Sequence, residues 1–294
     1  MNIYCVLVTY NPNLSRLRLS CESIISNGAH LIVVDNGSSN SDAIADVLNF
    51  PRGAVRVIFN EFNMGISAAQ NVGISDSIGL GADYVWLSDQ DTIYGEKYLE
   101  SMLSHIKLLR SDFACIGPVY VDGNRGEKQP LVKFSPFTIK FEARPGINEV
   151  AHIIASGMLI PIAALKTVGL MQENLFIDWV DMEWCWRAKK CFNLKTYVNG
   201  DVVIDHVLGD SYKSIFSKKI VLRSPFRHYH MVRNALYLAI YSDSLYWNQR
   251  VELVCKALVW AVLFPSLADK KREHLRATLK GVFHGILGRL DAVY

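Results

Sequence analysis

The sequence predicts an α/β protein in which a mostly parallel sheet carries helices on both faces. Three observations lead there. Short β-branched apolar runs alternate with helix-length segments through the first third of the chain. Polar clusters close three of those runs, at residues 9–11, 35–38 and 89–91. Half of the 294 residues are hydrophobic and 20% are charged, enough core for one large domain or one domain with a helical appendage.

The elements follow in order. Residues 3–9 read as a buried strand, broken by Asn11-Pro12-Asn13. A helix is expected from residue 14 to about 27, ending near Gly28. A strand over 31–34 stops at Asp35-Asn36-Gly37, and a helix over 41–48 and a strand over 55–59 come next. Residues 67–77 form a small-residue helix after Met64-Gly65. A fourth strand, 84–87, runs straight into Ser88-Asp89-Gln90-Asp91. Further on, 123–129 reads as a polar loop or hairpin, 176–191 as a helix with its entry turn, 196–204 as a strand, and the chain after Phe226 as helix. In such sheets ligands sit at the carboxyl ends of the strands, so the polar clusters define the expected binding edge.

Composition excludes several classes. The net charge of +3 conceals a body near neutrality and a basic tail: residues 249–294 carry eight Lys/Arg against four Asp/Glu. A neutral body argues against nucleic acid as a partner. The six cysteines are scattered without a CxxC pair, which excludes a zinc or disulfide framework. The N-terminal MNIYCVLVTY has no basic region before its apolar run, so a secretory signal is not expected and the setting reads as cytoplasmic. The longest apolar stretch, 253–268, contains Lys256 and Pro265 and is too short for a membrane span. Neither GxGxxG nor GxxxxGK[ST] follows any strand, so the usual phosphate cradles are missing.

The chemistry-bearing residues are these. Asp89 and Asp91 point the same way in extended backbone and can hold Mg²⁺ or Mn²⁺ with diphosphate oxygens. A solvated acidic turn is the plainer alternative. Asp35 can accept the N3–H of a pyrimidine base, although Asp-Asn-Gly is also an ordinary turn. Small residues in Asn63-Met64-Gly65 and on to Gly73 allow close approach of backbone, to a ligand or to the sheet. Asp178, Asp181 and Glu183 lie in FIDWVDMEWCWRA, where Glu183 can pair with Arg187 and Asp178 can cap the helix. The tryptophans there suit core packing or sugar stacking.

VTYNPN, VVDNGSSN, NMGISAAQNVG and LSDQD, in this order and spacing, resemble a family 2 inverting glycosyltransferase with the GT-A fold. ASGMLIP, FIDWVDMEWCWRA and HVLG extend the likeness over about residues 3–240, most closely to bacterial rhamnosyltransferases that use dTDP-L-rhamnose for O-antigen and related polysaccharides. The resemblance implies a catalytic domain over 1–225, a C-terminal helical region over 226–294, a divalent metal (Mg²⁺ or Mn²⁺), a dTDP-sugar donor and a saccharide acceptor, free or linked to polyprenyl diphosphate. It places Thr9, Tyr10, Asn11, Asp35, Asn36, Asn63, Gly65, Asn71 and Asp89 around the donor. Arg233 would clamp a phosphate. Asp91, Asp89 and His206 would bind the metal, and Ser156, Gly157, Asp178 and Trp179 would shape the acceptor side. Asp181 would be the general base. Val180 stands where many family members carry a Glu. In the tail, Leu275, Leu279, Val282, Phe283, Ile286, Leu287 and Leu290 share a helical face flanked by Lys270, Lys271, Arg272, Arg276 and Lys280. That face suits the inner membrane surface, or else packing on its own domain or in a dimer.

Overall fold

The computed structural model describes residues 1–51, 53–107, 109, 113–122, 126–133, 139–206, 211–215 and 218–290; for 206, 211–215 and 218–221 it describes the backbone alone. The first half runs β1 (Ile3–Thr9), α1 (Leu14–Ser26), β2 (His30–Asp35), α2 (Ser41–Val47), β3 (Val55–Phe59), α3 (Ile66–Gly79), β4 (Tyr84–Asp89), α4 (Tyr98–Ile106) and β5 (Phe113–Asp122). The short strands β6 (Glu127–Lys128), β7 (Leu131–Lys133), β8 (Ile139–Phe141) and β9 (Ile147–Val150) lead to β10 (Met158–Pro161) and α5 (Ile162–Val168). Then come α6 (Val180–Phe192), β11 (Lys195–His206), the hairpin β12 (Ser211–Ile215) and β13 (Lys218–Leu222), and the helices α7 (Pro225–Tyr241), α8 (Trp247–Leu267) and α9 (Lys271–Ile286).

The sheet order is β3-β2-β1-β4-β10-β5-β11-β9, with β6 paired to β5. Neighbours are parallel except where β10 enters between β4 and β5, where β9 edges β11 and where β6 pairs with β5. The alternation of side chains sorts β1 into two cores: Ile3, Cys5 and Leu7 face α1, α2 and α4, while Val6 and Val8 face α3 and α6. Gly73 makes the second contact close, because a Cβ there would lie 2.3 Å from Val6. Asn13, part of the expected break, caps α1 by accepting the Arg16 amide at 3.0 Å.

The reversed strand positions the site. Because β10 runs against β4, its entry, Ala155-Ser156-Gly157, arrives at the carboxyl end of β4 where Asp89 stands. Gly157 bonds back to Leu87 O at 2.9 Å, and its φ of +84° leaves room for Tyr98 and Pro118, which a Cβ would meet within 3 Å. The C-terminal helices share one core with the sheet: Val232, Ala235, Leu253 and Ala257 pack in the cluster that contains Trp179, Trp184 and Val6. Among the described residues, no helix is long and apolar enough to cross a membrane.

Candidate active site

Three loops at the strand ends are tied into one pocket. Asp35, fully buried at the end of β2, accepts Thr9 Oγ1 at 2.9 Å, the Ser38 hydroxyl at 2.5 Å and the Ser38 amide at 3.0 Å. Ser38 in turn accepts the Asn11 amide, and Asn11 Oδ1 accepts the Ser39 amide at 2.9 Å, which holds Asn11 at a φ of +45°. Asn36 donates to Asn63 Oδ1 at 3.0 Å and accepts the Met64 amide, and Asn63 accepts the Gly65 amide. Gln90 Oε1 accepts the Tyr10 amide at 2.8 Å and joins the β4 end to the β1 end. The Tyr10 ring stays exposed at the rim of this network. Thr9, Tyr10, Asn11, Asp35, Asn36 and Asn63 therefore sit together. Gly65 is beside them for another reason: at φ +88° a Cβ would come within 2.7 Å of Phe176 O, so the glycine lets the 176–179 turn dock.

The acidic end is built from two directions. The Ser156 hydroxyl donates to Asp89 Oδ2, and Thr92 Oγ1 lies 3.4 Å from the same hydroxyl. Arg16 Nε holds the Asp91 carbonyl at 2.9 Å and fixes the turn that carries that carboxylate. One residue before Ser156, the Ala155 amide donates to Asp181 Oδ2 at 3.2 Å, and the Met182 amide donates to Asp181 Oδ1 at 2.9 Å. Asp89 and Asp181 thus bracket a single dipeptide. Burial first, and then the nearby charge of Asp89, raise the Asp181 carboxyl from 3.8 to about 6 against the pull of its backbone donors.

A contorted turn delivers Asp181. Phe176, Asp178 and Trp179 all have positive φ (66°, 63° and 70°), a costly run for side-chain-bearing residues. Helix α7 holds it in place. Asn234 Nδ2 donates to Leu175 O and Ile177 O at 2.8 and 2.9 Å, and Arg233 donates to Asn174 O and Leu175 O at 3.1 and 3.0 Å. Arg227 forms an ion pair with Asp178. Glu183 and Arg187 make the expected i,i+4 pair, with bonds of 3.0 and 3.1 Å, and Glu183 also accepts Ser244 Oγ.

Several expected site residues have other duties. Arg233, expected to clamp a phosphate, is buried with its guanidinium bonded to Asn174 O, Leu175 O and Asn234 Oδ1, so it braces the turn. Asn71 is buried and bridges Met171 O and Glu173 at 2.9 Å. Trp179 is buried, donates Nε1 to Met231 O at 3.0 Å and packs on Trp186 and Trp260, so it belongs to the core. Asp178 does not cap α6; Trp179 occupies that position in a left-handed conformation. The His206 side chain and residues 207–209 of the HVLG motif lie outside the described residues. Gln90, Arg227 and Asn234 went unassigned by the sequence reading. Gln90 was in plain view inside Asp89-Gln90-Asp91, but nothing in the sequence joins residues 10 and 90.

A mixed sheet with a polar cluster across β1 and β2, two acids at the end of β4 and a third at the start of α6 is the GT-A arrangement of glycosyltransferases. The chain belongs to glycosyl transferase family 2, whose model matches residues 4–169, and it is a glycosyltransferase. It is 28% identical to the dTDP-rhamnosyl transferase RfbF of Shigella flexneri over 98% of this chain and 97% of that protein. Staphylococcus aureus TarS 1–349 in complex with UDP-GlcNAc shares the fold at a TM-score of 0.58 and 17% identity, covering 100% of this chain and 84% of that one. GalNAc-T7 with UDP, GalNAc and Mn²⁺ gives a TM-score of 0.61 at 13% identity, over 98% of this chain and 56% of that longer one.

Proposed function

We propose that the chain transfers L-rhamnose from dTDP-β-L-rhamnose to a saccharide acceptor with inversion at the anomeric carbon. Asp89 and Asp181 on either side of Ala155-Ser156 carry this reading, because donor-side and acceptor-side chemistry need two acids at one junction. End-to-end similarity to a dTDP-rhamnosyl transferase supports the choice of sugar. Asp35 reads the base edge, with Thr9 and Ser38 fixing its carboxylate, and Asn11, Asn36 and Asn63 shape the nucleoside pocket. Asp181 takes the proton from the acceptor hydroxyl, and a carboxyl near pH 6 suits that task at neutral pH. Attack from the face opposite the nucleotide gives an α-linked product.

Asp89 and Asp91 would hold a divalent metal, which neutralises the departing diphosphate when bound. The donor set fits Mg²⁺ or Mn²⁺: two hard carboxylates at the end of β4 leave positions for phosphate oxygens and water. GalNAc-T7 is a fold neighbour solved with Mn²⁺. The test is dTDP release from dTDP-rhamnose against UDP release from UDP-GlcNAc and UDP-GalNAc, with Mg²⁺ or Mn²⁺ and after EDTA. Turnover of dTDP-rhamnose alone, lost with EDTA, is the expected result. Turnover of a UDP-sugar alone would select the second reading, which the UDP-bound fold neighbours favour.

The acceptor is lipid-linked in this reading, and α8 and α9 rest on an anionic membrane surface. Both helices show apolar side chains to solvent: Val262 is 70% exposed, Leu279 56% and Phe283 55%. Lys271, Arg272, Arg276 and Lys280 are exposed on the same helix as Leu279, and cations beside an apolar face match anionic headgroups. Flotation with vesicles of phosphatidylglycerol and phosphatidylcholine should carry the protein upward, and pure phosphatidylcholine should carry less. A stable dimer that does not float would assign the face to a second copy.

A further inference from the structure

A cleft of about 260 Å³ lies between the β7–β8 hairpin, α6 and the start of α8. Its place follows from Asp181. Met182, the next residue, lines it, and so does Tyr120, whose hydroxyl is pushed up to about 12 by burial and then by the charge of Asp181. None of the donor-loop residues around Asp35 and Asn63 lines it. The cleft therefore opens beside the candidate base and apart from the donor pocket.

Its lining has three chemical features. Trp186 and Tyr120 supply aromatic surface. The His152 ring packs edge-on against Trp186 at 5.7 Å, and its Nδ1 is buried without a hydrogen-bond partner. Burial first, and then Lys256, hold that imidazole down at about 4, so at neutral pH it is an uncharged ring with an unmet polar atom. The third feature is charge. Lys133, Lys140 and Lys256 line the cleft against one acid, Glu252, which is already paired with Lys256 at 2.6 Å. Lys140 shares its rung of the β7–β8 ladder with Val132, another lining residue, while Lys133 stands on the next rung, whose side chains turn to the other face at the cleft's edge; together they leave the cleft with positive charge in excess. A purely neutral sugar needs the aromatic surface and the histidine, but gives no use for that excess.

We propose that this cleft selects acceptors that carry an anionic group, phosphate or carboxylate, next to the sugar presented to Asp181. The inference rests on the transferase reading above. The aromatic side chains receive the sugar face, His152 Nδ1 meets one of its hydroxyls, and Lys140 meets the anion by charge-assisted hydrogen bonds, with Lys133 adding positive charge at the edge. Helix α8 contributes Asn248, Glu252 and Lys256 to the lining, so the C-terminal helices take part in acceptor choice as well as in packing.

The test uses the full chain loaded with dTDP and Mg²⁺, so that the donor's phosphate site is filled. Glucose 1-phosphate, glucuronic acid and glucose share one sugar and differ in the anion, and their affinities are read by ligand-observed NMR. At least one anionic ligand should bind tenfold or more tighter than glucose. Lys133→Ala with Lys140→Ala should remove that advantage while dTDP and glucose affinities stay unchanged. His152→Phe should weaken all three sugars together. Preference for the phosphate over the carboxylate points to a phosphate-linked acceptor, and the reverse to a uronic acid. Equal binding of all three ligands, or an undiminished preference in the double variant, overturns the proposal. Failure to take up dTDP in the loading step counts against the transferase reading alone.

Discussion

In the sheet, apolar side chains turn inward and polar ones gather where the strands stop; in α9 the arrangement is reversed. The β1 strand buries Cys5, Val6, Leu7 and Val8 and ends on Thr9, whose buried hydroxyl is bonded to Asp35. Helix α9 buries His274, Ala277, Thr278, Gly281, His284 and Gly285 against its neighbours and shows Leu275, Leu279, Phe283 and Ile286 to solvent. Gly281 and Gly285 explain the choice: a Cβ on either would come within 2.7 Å of a carbonyl oxygen of Tyr229 or Arg233, so only small residues let α9 lie on α7. The sheet end uses polar residues for chemistry. The helical end uses buried polar residues as structure and keeps its apolar face for another surface. Substitutions at the two ends should therefore fail differently.

The largest effect belongs to the sheet edge. Asp181→Asn should lower transfer about a thousandfold, as expected for loss of a general base. It should also raise stability. With its carboxyl moved from 3.8 to about 6, the folded state holds the proton more tightly than the unfolded state, so stability falls as pH rises through that window. The ionised group costs up to about 3 kcal/mol at pH 7, at roughly 1.4 kcal/mol per pH unit. Steady-state rates and thermal melts together check this, and in the wild type the rate should rise through pH 6. A variant that is both inactive and less stable would mean that Asp181 is structural.

Arg233→Ala should show the opposite pattern. Removing a buried cation that holds Asn174 O and Leu175 O should cost about 3 kcal/mol. Nucleotide affinity should hold in the fraction that remains folded. Chemical denaturation and dTDP titration separate the two. Weak dTDP binding with unchanged stability would restore a phosphate role for this residue.

The two ends also differ in how far the sequence disclosed them. Strands β1 to β4 were legible because apolar runs with polar stops are local signals, and β1 and β3 fall where the pattern put them. Asp35 and Asp89 stood out because chemistry needs acids at strand ends, and Asp181, in the first turn of α6, stood out through the family likeness of FIDWVDMEWCWRA. The sequence pattern assigns no element to residues 98–122 and 147–168, where ASGMLIP carries only the family likeness: α4, β9, β10 and α5 are short, and β5, though ten residues long, is buried by distant partners. The family resemblance marks Arg233 and Asn71 as ligand residues. Their true partners, Asn174 and Leu175 for one and Met171 and Glu173 for the other, lie 59, 58, 100 and 102 positions away and leave no mark in a local pattern.

Acid should loosen the helical end first. His228 donates Nδ1–H to His274 Nδ1 at 2.8 Å while its Nε2 accepts the Arg223 amide. Burial, with His274, Arg223 and Arg227 beside it, lowers His228 to about 3. Burial, with Arg233 and Arg227, does the same for His230, whose ring nitrogens are both unpartnered. Neutral in the fold and ready to charge once unfolded, each ring stabilises fully above its unfolded value of 6.5. Each then loses about 1.4 kcal/mol per pH unit as pH falls towards 3. Hydrogen exchange at pH 7 and pH 5 should show α7 and α9 losing protection before β1 and β2. Simultaneous loss would mean that the two ends unfold as one unit.

The smallest effect on stability should come from the most conspicuous apolar side chains. Leu17 is fully buried under the sheet, and Leu17→Ala should cost about 3 kcal/mol through lost contacts and the cavity left behind. Leu279→Gln and Phe283→Gln change side chains that are more than half exposed, and each should stay within about 0.5 kcal/mol of the parent. Gly281 and Gly285 carry the helix contact on the other side of α9, so the substitutions leave that packing intact. If either glutamine variant lost as much stability as Leu17→Ala, α9 would be burying its apolar face after all, and the contrast between the two ends would collapse. If both are neutral to folding yet abolish vesicle flotation, the apolar side of α9 is a surface for docking, and its stability comes from the small residues underneath.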